Sequence, residues 1–338
     1  MKTFLSNKST AAPLATSFAS SLAWVIVKLG ESSPIAPWRL LFLVEGFPSV
    51  IAATIAWSAI PDSPQTAPYL TDREKKVARL RLRSEKSYSS RTRGRTSGLK
   101  WRDVLASLID PVAWTTAAMF FLTNMAYSSL PVFLPTILKE MGHSALVAQA
   151  MSAPPYLVAF GMVLLTAKLS DARQSRAFPI AVQALQSAAG YAILALAEPW
   201  RLPPILRYVA VYLACAGFFS VVALTVTWSI NNQASESRQG GGFALLQIVG
   251  QCGPLVGVRL YPDREAPFYT RGMTACAWAM FAVAVLAVLL RLYMTWLNRK
   301  LDEKAAETGG AIMEEEGLVS RDSGLVKRDP SETFRYIL

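Results

Sequence analysis

Eight apolar stretches, separated by short polar breaks, run from Thr10 to Trp296 and constrain the fold more than anything else in the chain. A bilayer core about 30 Å thick takes roughly 20 apolar residues of helix. Seven stretches fit that requirement: Trp38–Ile60, Val112–Leu138, Leu146–Leu169, Phe178–Ala197, Ile205–Ile230, Phe243–Leu260 and Met273–Leu297. An eighth, richer in Ala and Ser, covers Ala11–Leu29. The pattern predicts an all-α membrane protein of about eight transmembrane helices. Only 17% of the residues are charged, against about 25% in soluble domains, and the mean hydropathy is +0.31.

The net charge of +11 is not spread evenly, because twelve of the 34 Lys and Arg lie between Arg73 and Arg102. Clustering of this kind marks a cytoplasmic loop, and the stretch Arg79–Arg102 is suited to anionic lipid headgroups. No aromatic-interleaved platform accompanies the charge, so no nucleic-acid partner is expected. With Pro61–Asp110 in the cytosol, alternation places both termini, Lys168–Ala177 and Asn231–Gly240 on the same side. The loops facing outward then carry only Lys139, Arg201, Arg264 and Arg271. The expected location is a multi-pass position in the membrane, the plasma membrane by preference.

Several function classes fall away. The single histidine, His143, makes a Ser-His-Asp triad implausible. There is no phosphate-cradling Gly-x-x-x-x-Gly-Lys-Ser/Thr loop and no Cys-x-x-Cys. Cys215, Cys252 and Cys276 fall inside apolar helices and read as small buried hydrophobes. No enzyme, metal site or cofactor is expected. The first apolar run is diluted by Ser17, Ser20 and Ser21 and lacks a cleavage site, so it reads as a packed helix rather than a secretory signal. Ala15, Ala19 and Ala23 give that helix a small-residue stripe for close packing.

Inside the spans, Glu45 lies seven residues after Trp38, on the same face and roughly 10 Å along the axis. A carboxylate at such depth is either a proton or ion site or a hydrogen-bonding partner for a neighbouring helix. Arg39 is about 240° around the helix from Glu45 and cannot pair with it there. Lys28, Arg207, Arg259 and Arg291 sit near span ends and are expected to snorkel. Pro131 and Pro135, Pro154 and Pro155, and Pro254 interrupt separate spans and permit kinks. Beside them, Asn124, Tyr127, Gln149, Tyr156, Gln247 and Gln251 are candidates to line a polar cavity; interhelical hydrogen bonding is the alternative use of each. Gly240-Gly241-Gly242 opens the next span and is expected to mark a tight cytoplasmic turn and close packing.

An ordered set of short motifs carries a resemblance. Trp38-Arg39 with Glu45-Gly46 and Pro48, then Ile60-Pro61-Asp62-Ser63-Pro64, then Leu70-Thr71-Asp72-Arg73-Glu74 stand in that order. Downstream come Phe133-Leu134-Pro135-Thr136-Ile137, Ala153-Pro154-Pro155-Tyr156, Leu169-Ser170-Asp171, Asn231-Asn232, Arg238, Gly250, Pro254, Tyr261, Ala266-Pro267, Tyr269 and Phe334-Arg335-Tyr336. Taken together the chain resembles fungal allantoate permease-like transporters, in the anion:cation symporter branch of the major facilitator superfamily.

The resemblance implies a twelve-helix fold of which this chain, truncated at its N-terminus, begins near helix five: a partial major-facilitator bundle. Residues 1–60 would supply the last two helices of the N-terminal half, 61–110 the basic inter-half loop, 111–297 the six-helix C-terminal half, and 298–338 a cytoplasmic tail. It further implies proton symport of a small organic anion such as allantoate, ureidosuccinate, nicotinate or another vitamin-like carboxylate, with a buried carboxylate moving the proton. The competing expectation is a non-transporting membrane remnant or isoform of such a transporter. After Asn231-Asn232 the chain reads Gln-Ala-Ser-Glu-Ser-Arg, where relatives show a Gly and a Lys-Arg pair.

The charge asymmetry makes a direct prediction. A cysteine placed at position 97 in a cysteine-free background should resist a membrane-impermeant maleimide applied to intact cells, while one at position 144 should react. Strong outside labelling at 97 would reverse the orientation.

Overall fold

The computed structural model describes residues 12–19, 21–26, 34–61, 63, 65–80, 101–140, 142, 144–233, 235–266, 268–316 and 335–337. His143 and Lys28 lie outside the described residues. Every regular element among them is helical. The chain divides into two units, one comprising Met1–Leu22, Lys100–Asp322 and Arg335–Leu338, the other Ala23–Leu99 and Ser323–Phe334.

The second unit holds helix α1, Pro37–Ala59. Proline at its start needs no hydrogen-bonded amide, and Pro48 is carried within it. None of its apolar window is buried. A further helical turn sequence at 72–80 opens on a reciprocal cap: the Thr71 amide and hydroxyl both donate to Glu74 Oε2, at 2.9 and 2.8 Å, and the Glu74 amide donates back to Thr71 Oγ1 at 3.4 Å. This is the capping-box pattern. The amide bond from Thr71, then its hydroxyl, hold the Glu74 carboxyl below its ordinary value.

The first unit carries the remaining elements: α2 Trp101–Ile109, α3 Pro111–Glu140, α4 Ala145–Met151, α5 Ala153–Arg173, α6 Ala177–Ala195, α7 Pro204–Asn231, α8 Glu236–Gly250, α9 Gly253–Gly257 and α10 Thr270–Glu316. Its core runs through α3, α5, α6, α7 and α10, from Met119 and Tyr156 to Trp228 and Met280. α6 packs on both α7 and α10. The contact to α7 works because side chains are missing: a Cβ on Gly190 would stand 2.6 Å from the Ala214 amide nitrogen, and one on Gly217 2.5 Å from the Gln183 carbonyl. Lipid tails are as apolar as leucine, so such close backbone approach, rather than escape from water, holds membrane helices together. Ser187 Oγ adds a bond to the Ala214 carbonyl at 3.1 Å.

Six described helices are long and apolar enough to span a membrane, and a bent pair makes a seventh. These follow the seven clear stretches of the sequence, while Ala12–Ile26 is a shorter apolar helix. Two spans are broken. α4 hands over to α5 at Ser152, whose hydroxyl donates back to the Ala148 carbonyl at 2.9 Å, and Pro154–Pro155 fall in the first turn of α5 where a missing amide costs least. α8 hands over to α9 at Gln251–Cys252, just ahead of Pro254. By contrast α3 continues through Pro131 and Pro135.

Three expectations are corrected. Trp101–Ile109, taken as the end of a polar loop, is a helix set at 65° to α3. It turns polar residues inward, Asp103 to Ser235 at 3.3 Å, and leaves Trp101, Leu105, Leu108 and Ile109 exposed, an arrangement suited to the bilayer surface. The bend is fixed by Asp110 accepting from the Val112 amide at 3.0 Å and by Trp114 Nε1 donating to the Leu108 carbonyl at 2.7 Å. Gly240–Gly242 is not a turn but part of α8, because Ser235 caps that helix earlier, accepting from the Arg238 amide; the close packing expected of these glycines is present, Gly241 being bare where Ser107 and Val104 of α2 come closest. Cys252 is exposed rather than buried, since it stands at the helix break.

Gly217→Ala should lower thermal stability in detergent by roughly 1–3 kcal/mol, the usual cost of overpacking. Gly161→Ala, whose new methyl meets open space, should hold or raise stability, as Ala does over Gly in a helix. Equal melting temperatures for the two variants would show that the α6–α7 approach is not what the bundle rests on.

Candidate functional site

The break at Ser152 decides where Tyr156 points. It lies one turn into α5, and its ring is 1% exposed, set edge-on to Phe219 of α7 with centroids 6.1 Å apart. Tyr127 of α3 meets the same residue edge-on at 5.2 Å and Phe218 at 5.5 Å, so phenols from two helices converge on one aromatic pair of a third. Other phenols are satisfied: the buried Tyr191 donates to the Ala126 carbonyl at 2.7 Å and the half-buried Tyr208 to the Met151 carbonyl at 2.8 Å. The Tyr156 hydroxyl has no hydrogen-bond partner among the described residues. A buried donor left this way costs about 1–3 kcal/mol, and it is a ready donor to any oxygen that enters.

The other cavity candidates divide. Asn124, one turn before Tyr127 on α3, donates to the Gly250 carbonyl at 3.2 Å, the carbonyl that the α8 break leaves without a helical partner. Gln247, on the last turn of α8, is half-buried and its Oε1 has no partner among the described residues. Gln149 is half-buried near the end of α4, and Gln251 is exposed at the break. Glu45 is exposed on α1, like Trp38 and Gly46, and Arg39 lies over the Trp38 ring at 5.1 Å. The structure thus gathers Tyr127 with Tyr156, and Asn124 with the α8–α9 break, without bringing all six candidates to one point.

The motif positions beside the spans have structural partners. Asp171 forms an ion pair with Arg176, whose guanidinium also donates to Ser170 Oγ at 3.1 Å; the turn closes through Gln174 at φ 50°. Pro135 is half-buried in α3, and Pro154 is exposed while Pro155 is buried. Asn231 keeps an unpartnered buried Nδ2 among the described residues, and Asn232 binds the backbone of Ile337. Phe218, Phe219 and Gln183 were not singled out in the sequence. Gln183 donates to Thr166 at 3.1 Å and leaves its Oε1 unmet; an amide on an otherwise Ala-rich helix was the signal for it.

A cavity of about 730 Å³ lies elsewhere, among the loops beside α6, α7 and α10, lined by Glu198, Arg264, Glu265, Phe268, Thr270 and Arg271. Part of its charge is met within the lining: Arg271 pairs with Glu265 at 3.5 Å and Thr270 donates to Glu198 at 2.8 Å.

A family profile described as Major Facilitator Superfamily matches residues 5–258. Among curated proteins the chain is 32% identical to "MFS transporter prlL" of Fungal sp. (strain NRRL 50135), across 88% of this chain and 59% of that protein. It is 27% identical to a Schizosaccharomyces pombe protein named as an uncharacterized transporter, over 86% of this chain and 60% of the relative. It is also 25% identical to "Major facilitator-type transporter hxnP" of Emericella nidulans, over 89% and 59% respectively. The chain spans about three fifths of the length of these relatives.

Removing an idle hydroxyl and removing a bonded one should differ. Tyr156→Phe is expected to leave the ligand-free protein as stable as before or slightly more so. Tyr191→Phe should cost about 1 kcal/mol through loss of its hydrogen bond to the Ala126 carbonyl. Thermal unfolding in detergent compares them, and an equal loss in both would mean that the Tyr156 hydroxyl is already bonded.

Proposed function

A chain that matches the Major Facilitator Superfamily over residues 5–258 belongs to that superfamily, and on this premise we propose that it carries a small organic anion across the membrane by proton symport. The chain is an integral, multi-pass membrane protein, and its relatives are named transporters, not enzymes. The observation that carries the substrate reading is the Tyr156 hydroxyl, buried and unpartnered among the described residues. A phenol hydroxyl with no protein acceptor is matched by a carboxylate or ureide oxygen to which it can donate. A charge-assisted bond of this kind contributes about 1.5–3 kcal/mol. Tyr127 flanks the same aromatic pair.

The branch reading rests on the ordered motifs. It favours allantoate, ureidosuccinate, nicotinate or a related vitamin-like carboxylate. Glu45 is the proton carrier in this reading, since a carboxylate well inside an apolar helix is the group whose charge can be neutralised by the co-transported proton. The two halves would alternate about a shared site, with residues 61–110 joining them in the cytosol and both termini on that side of the plasma membrane.

Uptake of labelled allantoate and nicotinate, in cells lacking their own carboxylate permeases and expressing a form with all the helices of the relatives, tests both assignments. Tyr156→Phe should weaken apparent affinity about tenfold or more, the loss expected for one charge-assisted hydrogen bond. Glu45→Gln should abolish the pH-driven component while binding and membrane abundance persist. Unchanged pH-driven uptake by the Gln variant would remove Glu45 from coupling, and unchanged affinity in the Phe variant would remove Tyr156 from the site. Saturable binding without accumulation by the unmodified protein would select the non-transporting reading.

A further inference from the structure

We propose that the end of α7 and the stretch of α10 around Asn298 form a binding site for an extended peptide backbone, and that its occupant is the chain's own segment Arg335–Ile337, which fastens the two helices together. Two asparagines make the site. Asn298 of α10 accepts from the Tyr336 amide at 2.9 Å and donates to the Tyr336 carbonyl at 3.0 Å. Asn232, at the end of α7, accepts from the Ile337 amide at 2.7 Å and donates to the Ile337 carbonyl at 3.2 Å. Each carboxamide thereby imitates a β-strand neighbour, which exchanges both backbone bonds with the one residue opposite it. In strand-like chain, consecutive residues present these groups to opposite sides. Asn298 and Asn232 therefore grip the segment from its two flanks, one helix on each.

Three further contacts set register and direction. The buried Trp228, one turn before Asn232, donates from Nε1 to the Ile337 carbonyl at 2.7 Å. Arg335 pairs with Asp302 at 2.5 Å, one turn beyond Asn298 on α10. The Tyr336 ring is half-buried against the main core. Burial, then the Asp110 carboxylate, raise the Tyr336 hydroxyl above its ordinary value, while Arg238 opposes them. α7 and α10 each pack on α6, and at this end the segment lies between them and bonds to both. The backbone bonds demand no particular side chain, so selectivity falls to Arg335 and Tyr336. The sequence offers a basic residue followed by an aromatic one, against an acidic residue and an apolar recess. Release of the segment would expose Trp228 Nε1 and both carboxamides and leave the end of α7 free to part from α10, giving a strap that moves between two states.

Hydrogen–deuterium exchange on the intact protein in detergent or nanodiscs reads the strap directly. The amides of Tyr336 and Ile337 should exchange at least about tenfold more slowly than in a free synthetic peptide of residues 331–338, because opening must precede exchange. The paired change Asn232→Ala with Asn298→Ala should bring them to the peptide rate. It should also speed exchange in the last turn of α7 and around residue 298 of α10, while α6 keeps its protection and so reports an intact bundle. Asp302→Arg, at an exposed side chain, should loosen the segment without touching either asparagine. Peptide-rate exchange of Tyr336 and Ile337 in the unmodified protein would overturn the docking. Release of the segment with no change at the end of α7 or around residue 298 of α10 would overturn the fastening.

Discussion

Close backbone approach, made possible by residues that lack a side chain, is the contact on which this bundle depends. Within lipid there is no gain in hiding leucine from leucine, and packing density has to do what the hydrophobic effect does in water. Gly190 and Gly217 let α6 and α7 meet backbone to backbone. Gly253 and Gly257 do the same for α9 against α3, where an added Cβ would strike the carbonyls of Phe121 and Met125. Bulky residues face away instead: Leu157, Phe178, Leu185 and Leu289 are exposed, as a lipid-facing surface should be.

The second constraint follows from the first. A helix drawn this close can break only where a neighbour or a local side chain repairs the loose backbone groups. At the α8–α9 break that neighbour is Asn124, which meets the Gly250 carbonyl. At the α4–α5 break Ser152 repairs the end from within, and prolines open the next helix. The second break aims Tyr156 inward at Phe219, beside Tyr127. A polar donor that nothing in the described bundle satisfies is thus held by packing that permits little adjustment. The same logic governs the far end of α7. There Trp228 and Asn232 offer donors and an acceptor at a helix terminus, and a strand of chain satisfies them.

Much of this was legible in the sequence. Span length and hydropathy fix the number and position of the long helices, because the bilayer imposes one thickness on all of them. Pro154–Pro155 and Pro254 mark the two breaks. Proline alone could not separate these from Pro131 and Pro135, which α3 carries without interruption. The misread parts share a cause. Gly240–Gly242 looks like a turn unless the Ser235 cap and the approach of α2 are known. Trp101–Ile109 looks like loop because its polar face is the buried one. Cys252 reads as buried from composition, but the break exposes it. Tyr127 and Tyr156 could be named as candidates, whereas their meeting on Phe219 needed the crossing of three helices. The partner of Asn232 is 105 residues away, and no local pattern announces it.

A density map of the protein with a carboxylate substrate bound, at a resolution that places side-chain oxygens, is the most direct test of the site. The expected result is a substrate oxygen at hydrogen-bond distance from the Tyr156 hydroxyl, about 2.7–2.8 Å, with the Tyr127 ring and Phe219 against the substrate. Substrate seated elsewhere, with the Tyr156 hydroxyl bonded to a protein acceptor, would contradict it.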